Sequence, residues 1–310
     1  MLFEEGLIYD THNLDLDGMA EYAKYWDKEW KILENGEFSG RITAVHTGNI
    51  QLGLTTYSLA TEINGQYPEG SVLIFLLHAG TNSVVYKTLK VHKDEIVIVR
   101  SGEELDFVSS GFCSVVTICV ERELFNTKFN SFFSLDSDEI LEQQKFKLRK
   151  WGGVEETSLS SRLVDFMMKM QSQGTDVDFR KVEDELLEDI FASLMLEPSL
   201  PEHKKFDITK VRKYLKNNFE NEVDMEHMAN DFKISKRQLH SAFKNFYGLT
   251  PKKYLHILRL HEIRKYLKES SSDNASVSEL AFKFGFRHLS YFTQEYKKFF
   301  HELPSITLAN

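Results

Sequence analysis

Residues 225–251 read MEHMANDFKISKRQLHSAFKNFYGLTP, and residues 277–304 read VSELAFKFGFRHLSYFTQEYKKFFHELP. At an offset of 52, Met225 meets Val277, Met228 meets Leu280, Ala229 meets Ala281, Phe232 meets Phe284 and Ile234 meets Phe286. One inserted residue makes the offset 53, and Leu239 then meets Phe292, Phe243 meets Tyr296, Lys244 meets Lys297, Phe246 meets Phe299 and Pro251 meets Pro304. Each copy spells a short helix, a tight turn and a second helix of about three turns, which is a helix-turn-helix written twice. Ala229 and Ala281 are small where two helices must cross closely. Gly285 suits the left-handed backbone of the second turn, and Lys233 takes that place in the first at some cost. Ser235 and Gln238 have the spacing of a capping box that starts the first recognition helix.

In that helix Leu239, Ala242, Phe243 and Phe246 recur at helical spacing and must face a core, which leaves Arg237, His240, Ser241 and Lys244 on the opposite stripe. In the second copy the buried stripe is Phe292, Tyr296 and Phe299, and the outward one is Ser290, Thr293, Gln294 and Lys297. A single polar stripe usually marks a solvated helix face. Two in register on two copies of one motif suit base edges in the major groove of double-stranded DNA. Arg237, His240, Ser241, Ser290, Thr293 and Gln294 are therefore the expected base-reading residues, and Lys236, Lys244, Lys297 and Lys298 the expected phosphate contacts. Between the copies, Thr250-Pro251 starts a helix expected to run to 268. At about 1.5 Å per residue it is ~27 Å long, enough to hold two recognition helices about one DNA turn apart on successive major-groove segments.

The charge balance agrees only after the chain is divided. The 310 residues carry a formal net charge of −9, which argues against a nucleic-acid partner. Residues 207–310 hold 18 Lys and Arg against 12 Asp and Glu, whereas residues 1–206 hold 20 against 35. A basic third follows an acidic two-thirds.

Upstream, residues 13–35 carry Met19, Tyr22, Trp26 and Trp30 as a helical stripe, so an amphipathic helix is expected there. From about 40 to 120 the texture is β: runs at 41–45, 50–57, 71–77, 84–88, 95–99 and 114–120 alternate with turn residues. Helices are expected over 138–149, 158–173 and 179–196, and the Ile190–Leu194 face of the last either packs on the β core or forms a homodimer seam. Pro198 and Pro201 flank a linker. The expected class is α+β: an effector-sensing or dimerisation domain over 1–197, a linker over 198–206 and an all-helical DNA-binding domain over 207–310. Cys113 and Cys119 lie in an apolar run on one strand face, too far apart to bridge, and read as buried free thiols in a reducing compartment. Met1-Leu2-Phe3-Glu4-Glu5 lacks the basic start of a signal peptide and the longest apolar run, 72–77, is far too short for a membrane span, so the expected location is the cytoplasm with no membrane contact.

Phe243-Lys244, Gly248-Leu249-Thr250-Pro251, Arg259-Leu260, Glu279-Leu280-Ala281, Gly285-Phe286, Ser290-Tyr291-Phe292, Tyr296-Lys297-Lys298 and Pro304-Ser305 resemble the signature of AraC/XylS transcription regulators. The resemblance covers roughly 100 residues at the C-terminus; one departure is His301 in place of the glycine usual before the last Pro-Ser. It implies an N-terminal cupin-like barrel or sandwich that senses a small-molecule effector or mediates dimerisation, and RNA polymerase as a partner if the protein activates. A narrower likeness, carried by Phe38-Ser39-Gly40 with Ile50-Gln51, Gly285-Phe286-Arg287-His288-Leu289 and Pro304-Ser305-Ile306-Thr307-Leu308, is to ethanolamine-operon regulators.

Enzyme chemistry is poorly supported. A metal-dependent cupin needs a His-x-His pair, and the chain has none; His46, His78 and His92 stand singly. Gly152-Gly153 has no following Lys-Ser or Lys-Thr, so it is not a phosphate loop. A DNA-repair methyltransferase fused to this DNA module needs a reactive cysteine and a cysteine-rich zinc site, and two cysteines are too few. No metal, no cofactor and no catalytic activity are expected. Trp26, Tyr57, Phe75, Tyr86 and Arg100 are candidates to line an effector site, and strand phase decides among them.

Overall fold

The computed structural model describes residues 1–149, 158–173, 177–196, 207–270 and 276–309. The chain divides into two compact units: Met1–Trp30 with the described part of Phe38–Glu202, and Lys31–Glu37 with the described part of His203–Asn310. The linker expected over 198–206 lies outside the described residues. Among the described residues no helix is long and apolar enough to cross a membrane.

Unit 1 begins with β1 (Ile8–Asp10), α1 (Leu16–Glu21), β2 (Asp27–Ile32), β3 (Gly40–His46), β4 (Ile50–Tyr57), β5 (Thr61–Gln66) and β6 (Ser71–Gly80). It continues through β7 (Ser83–Tyr86), β8 (Leu89–His92), β9 (Glu95–Val99), β10 (Leu105–Val108) and β11 (Cys113–Glu121). Then come α2 (Arg122–Phe133), α3 (Ser137–Ile140), β12 (Lys145–Leu148), α4 (Leu159–Gln173), α5 (Phe179–Ser193) and β13 (Leu194–Met195). The strands form two sheets, ordered β1-β3-β4-β11-β6-β9-β12-β13 and β2-β5-β10-β7-β8, with antiparallel pairings such as β3 with β4 and β6 with β11. This is the sandwich with flanking helices that the sequence led us to expect.

The large sheet is covered on both faces, which explains why its central strands are apolar throughout. In β6, Val72, Ile74 and Leu76 pack into the layer under the helices, with Phe125, Phe129, Leu163, Ile190 and Phe191. The alternating Leu73, Phe75 and Leu77 pack between the sheets with Tyr57, Tyr86 and Phe107. Cys113 and Cys119 lie on that second face, both free and buried, and burial pushes each thiol up to about 12.

Three local expectations are corrected. Residues 13–35 are not one helix: α1 stops at Glu21, Tyr25 takes φ 68°, and β2 follows. The helix expected over 138–149 is a single turn, α3, followed by β12; Gln144 at φ 58° breaks the helical path, and Phe146 pairs with Ile96 at the edge of β9. The Ile190–Leu194 face is no dimer seam, because both residues are fully buried in the layer under the helices. A helix absent from the reading, α2, supplies Phe125 and Phe129 to that same layer.

One buried acid fixes α5 to the sheet. Glu183, 4% exposed, accepts hydrogen bonds from Thr47 Oγ1 (2.7 Å), Asn49 N (3.0 Å) and Asn49 Nδ2 (3.1 Å), all in the turn between β3 and β4.

Candidate nucleic-acid interface

Unit 2 consists of α6 (Ile208–Asn217), α7 (Met225–Asp231), α8 (Lys236–Tyr247), α9 (Pro251–Glu269), α10 (Val277–Lys283), α11 (Leu289–Phe300) and α12 (Pro304–Ala309), together with Lys31–Glu37. The repeat seen in the sequence is repeated atom for atom in the turns. Lys233 N donates to Asn230 O (2.9 Å) and Ile234 N to Ala229 O (3.1 Å); at an offset of 52, Gly285 N donates to Phe282 O (3.0 Å) and Phe286 N to Ala281 O (2.9 Å). Both turns pass through the left-handed region, at φ 56° for Lys233 and 81° for Gly285. A Cβ at Gly285 would also stand 3.0 Å from Arg259 Nη1, close enough that the arginine would have to give by a few tenths of an ångström. Arg259 Nε and Nη2 themselves donate to Phe219 O (2.8 Å) and Asn221 O (2.7 Å), which ties α9 to the segment before α7.

The two recognition helices are equal in length at 12 residues and are entered differently. Ser235 and Gln238 close the expected capping box on α8, whereas His288 caps α11 without a side-chain bond. Leu239 and Phe243 in α8, like Phe292 and Tyr296 in α11, are fully buried. Ala242 and Phe246 are only half-buried; Tyr247, 2% exposed, takes the core position expected of Phe246. Each helix ends in a left-handed residue, Gly248 and His301, whose N–H returns to Lys244 O and Lys297 O. His301 differs from glycine in having a use: its Nε2 pairs with Gly36 O at 2.7 Å. Residues 31–37 are held to α9 as well, through Lys31 Nζ and Glu262 Oε1 (3.4 Å) and through His261 Nε2 and Ile32 O (3.0 Å). Between the copies, α9 is 19 residues, begun by Thr250 as cap with Pro251 in its first turn.

Residues 228–310 match the family model described as a helix-turn-helix domain. The chain is 34% identical over 99 residues to the XylDLEGF operon transcriptional activator of Pseudomonas putida, covering 32% of this chain and 31% of that protein. It is 34% identical over 91 residues to the transcriptional activator RhaS of Pectobacterium atrosepticum, covering 29% and 32%. A probable AraC family transcriptional regulator of Rhodopseudomonas palustris, of known structure, is 27% identical over 33% of this chain and 93% of that one, with a TM-score of 0.31. The C-terminal third is a helix-turn-helix domain. The chain spans about a third of the length of the curated relatives named, which are activators rather than enzymes.

On this helix-turn-helix domain, Arg237, Ser241, Ser290 and Gln294 are exposed, as are Lys236, Lys244, Lys297 and Lys298. Two of the expected base readers stand differently. His240 is half-buried and its Nε2 is a buried atom with no hydrogen-bond partner among the described residues. Thr293 is half-buried too, and its hydroxyl donates to Leu289 O (2.9 Å) in its own helix. Tyr291, 54% exposed in the first turn of α11, was read as part of the motif and not as a surface residue. Under the second copy, burial lowers the His256 pKa despite Glu295 at 3.6 Å.

Of the five residues suggested for an effector site, Trp26, Tyr57 and Phe75 line one cavity inside the sandwich, together with Lys28 and Trp30 of β2. Tyr86 is buried in the surrounding core, and Arg100 lies elsewhere, donating to Asp138 O (2.5 Å). Lys28 gave no sign in the sequence reading. Its signal is the alternation Trp26-x-Lys28-x-Trp30, which puts all three on one strand face. Among the described residues no cluster of His, Cys, Asp and Glu could hold a metal ion. His46 is buried, and burial drives its pKa down to about 4; its Nε2 pairs with Gln51 Nε2 at 2.9 Å.

Proposed function

We propose that the chain is a sequence-specific transcription regulator that reads two successive major-groove segments of promoter DNA with α8 and α11, under the control of its sandwich unit. The observation that supports this most is the doubled turn: matching backbone hydrogen bonds at an offset of 52 give both copies one local geometry, with exposed polar residues on each recognition helix. Arg237 and Gln294, exposed and long enough for bidentate contacts, are the foremost base readers, with Ser241 and Ser290 beside them. Lys236, Lys244, Lys297 and Lys298 would neutralise phosphates. The half-burial of His240 and of Thr293 argues for a smaller part in reading. Relatives of this domain are named as activators, which favours activation and hence RNA polymerase as a partner. Control by an effector or by dimerisation rests on the separate, acidic sandwich unit; the ethanolamine-operon likeness rests only on the three phrases that carry it.

Binding titrations on an operator and on random DNA test the assignment. Arg237→Ala or Gln294→Ala is expected to cost about 1–3 kcal/mol on the operator and much less on random sequence. Equal weakening on both would remove the base-reading role. Lys244→Ala or Lys297→Ala is expected to weaken binding to all sequences alike and to reduce the salt slope by about 1 per lysine. An unchanged slope would place these lysines off the phosphates.

A further inference from the structure

The first turns of the two recognition helices, matched at an offset of 53, carry unlike chemistry. In α8 the turn reads Lys236-Arg237-Gln238, with two cations, and the Gln238 side chain is taken up by the capping box. In α11 it reads Leu289-Ser290-Tyr291, with no cation, and Tyr291 stands where a capping glutamine would. The cation before this turn, Arg287, lies outside the helix with Glu222 at 3.4 Å. One turn further on, Ser241 of α8 is matched by Gln294 of α11, both exposed. Leu289 is 38% exposed and Tyr291 54%. Thus α11 gives up the side-chain cap that α8 has, and puts two large apolar side chains into water at the end of a recognition helix that meets base edges. Tyr291 precedes Gln294 by three residues and Leu289 precedes Thr293 by four, so each is a neighbour of the outward polar stripe on the helix surface.

The major groove tells these two turns apart. Guanine presents two acceptors, O6 and N7, which suit a guanidinium. Adenine presents an acceptor and a donor, N7 and N6, which suit an amide, and thymine adds a 5-methyl group that an apolar side chain can cover. We propose that the two DNA segments differ in base content: α8 takes guanine through Arg237, and α11 takes A·T pairs, with adenine on Gln294 and thymine methyls on Leu289 and Tyr291. Leu289 and Tyr291 are then specificity-determining residues, although neither belongs to the polar stripe. Two unlike segments also give the target a direction, so that one domain binds it in one orientation. The proposal deepens the regulator reading by naming the class of sequence it recognises, and it rests on that reading.

The test uses the full chain and a pool of duplexes with randomised sequence, enriched by binding and then sequenced. The recovered motif is expected to hold two blocks about 10 base pairs apart, one bearing guanine and one of A·T pairs. Deoxyuridine in place of thymine in the A·T block removes the methyl group and leaves the hydrogen-bonding edge unchanged. It is expected to weaken binding about fourfold per contacted methyl. In the double variant Leu289→Ser with Tyr291→Ser, thymine and deoxyuridine are expected to bind alike. Gln294→Ala is expected to lose about fivefold or more of the preference for adenine in the A·T block, and Arg237→Ala as much of the preference for guanine in the other. Guanine in both blocks, an A·T block indifferent to deoxyuridine, or a double variant that still discriminates overturns the proposal and leaves a sequence-specific regulator standing. A pool that shows no enrichment removes the regulator reading, and the proposal with it. The deoxyuridine result on the unaltered chain decides the matter even if the double variant fails to fold.

Discussion

Replacing Glu183 by alanine is expected to lower the stability of the sandwich unit by about 3 kcal/mol, the cost of removing a charged acceptor from buried donors. The three donors it serves, Thr47 Oγ1, Asn49 N and Asn49 Nδ2, all belong to one turn. The backbone N–H of Asn49 would be left without its partner, which a polar side chain at the surface could not replace. For a unit of this size the loss corresponds to a fall in Tm of roughly 6–12 °C. Glu183→Gln is expected to recover about half, since the amide oxygen can accept from Thr47 or from Asn49 while its NH₂ faces a second donor. Denaturation followed by circular dichroism reads both; a loss under about 1 kcal/mol for the alanine variant would show that the turn holds α5 by packing alone.

The second large effect has the opposite sign. Lys28→Met is expected to stabilise the protein at pH 7 by on the order of 4 kcal/mol, because the folded state holds its amine at about 7 against an ordinary 10.5. The direction follows from proton counts. Above pH 7 the unfolded chain keeps a proton on Lys28 that the folded chain has released, so unfolding takes up a proton and stability rises with pH. From pH 7 to about 8.5, below the range where the cysteines titrate, Lys28 contributes about 2 kcal/mol of this rise. The variant lacks it, so its stability curve is expected to be flatter over that interval. Parallel curves for the two proteins would mean that water reaches the amine freely.

Much of this was legible in the sequence because it is local. The helix-turn-helix pair depends on spacings of three, four and seven residues, on Ser235 and Gln238 at a helix start, and on Gly285 at a left-handed position, all of which act within a few residues of one another. The strand pattern shows six long or apolar strands but not β1, β5, β8 and β10, which are three to six residues long; β1, β5 and β10 join the sheets through distant partners such as Val108 with Glu62, and β8 forms a short hairpin with β7. The false helix over 13–35 has a specific cause. Trp26 and Trp30 are four apart, a spacing that satisfies a helix and a strand equally; only Lys28 between them, lying on the same strand face, breaks the tie, and a lysine is not read as an inward residue. Phe146 failed for a similar reason, since its burial comes from pairing with β9, about fifty residues earlier. On the recognition helices the exposed face was foreseen, but the hydrogen bond that occupies Thr293 and the partial burial of His240 come from packing, which a stripe cannot report.

Residues 31–37 give the DNA-binding unit a history. They belong to unit 2 and supply Ile32 O and Gly36 O to His261 and His301, yet they precede α6 by roughly 170 residues. At a synthesis rate of about 5–20 residues per second, on the order of ten to fifty seconds pass before those histidines exist. Until then Ile32 O and Gly36 O lack these two partners. The helix-turn-helix unit thus joins a piece made almost first to helices made last.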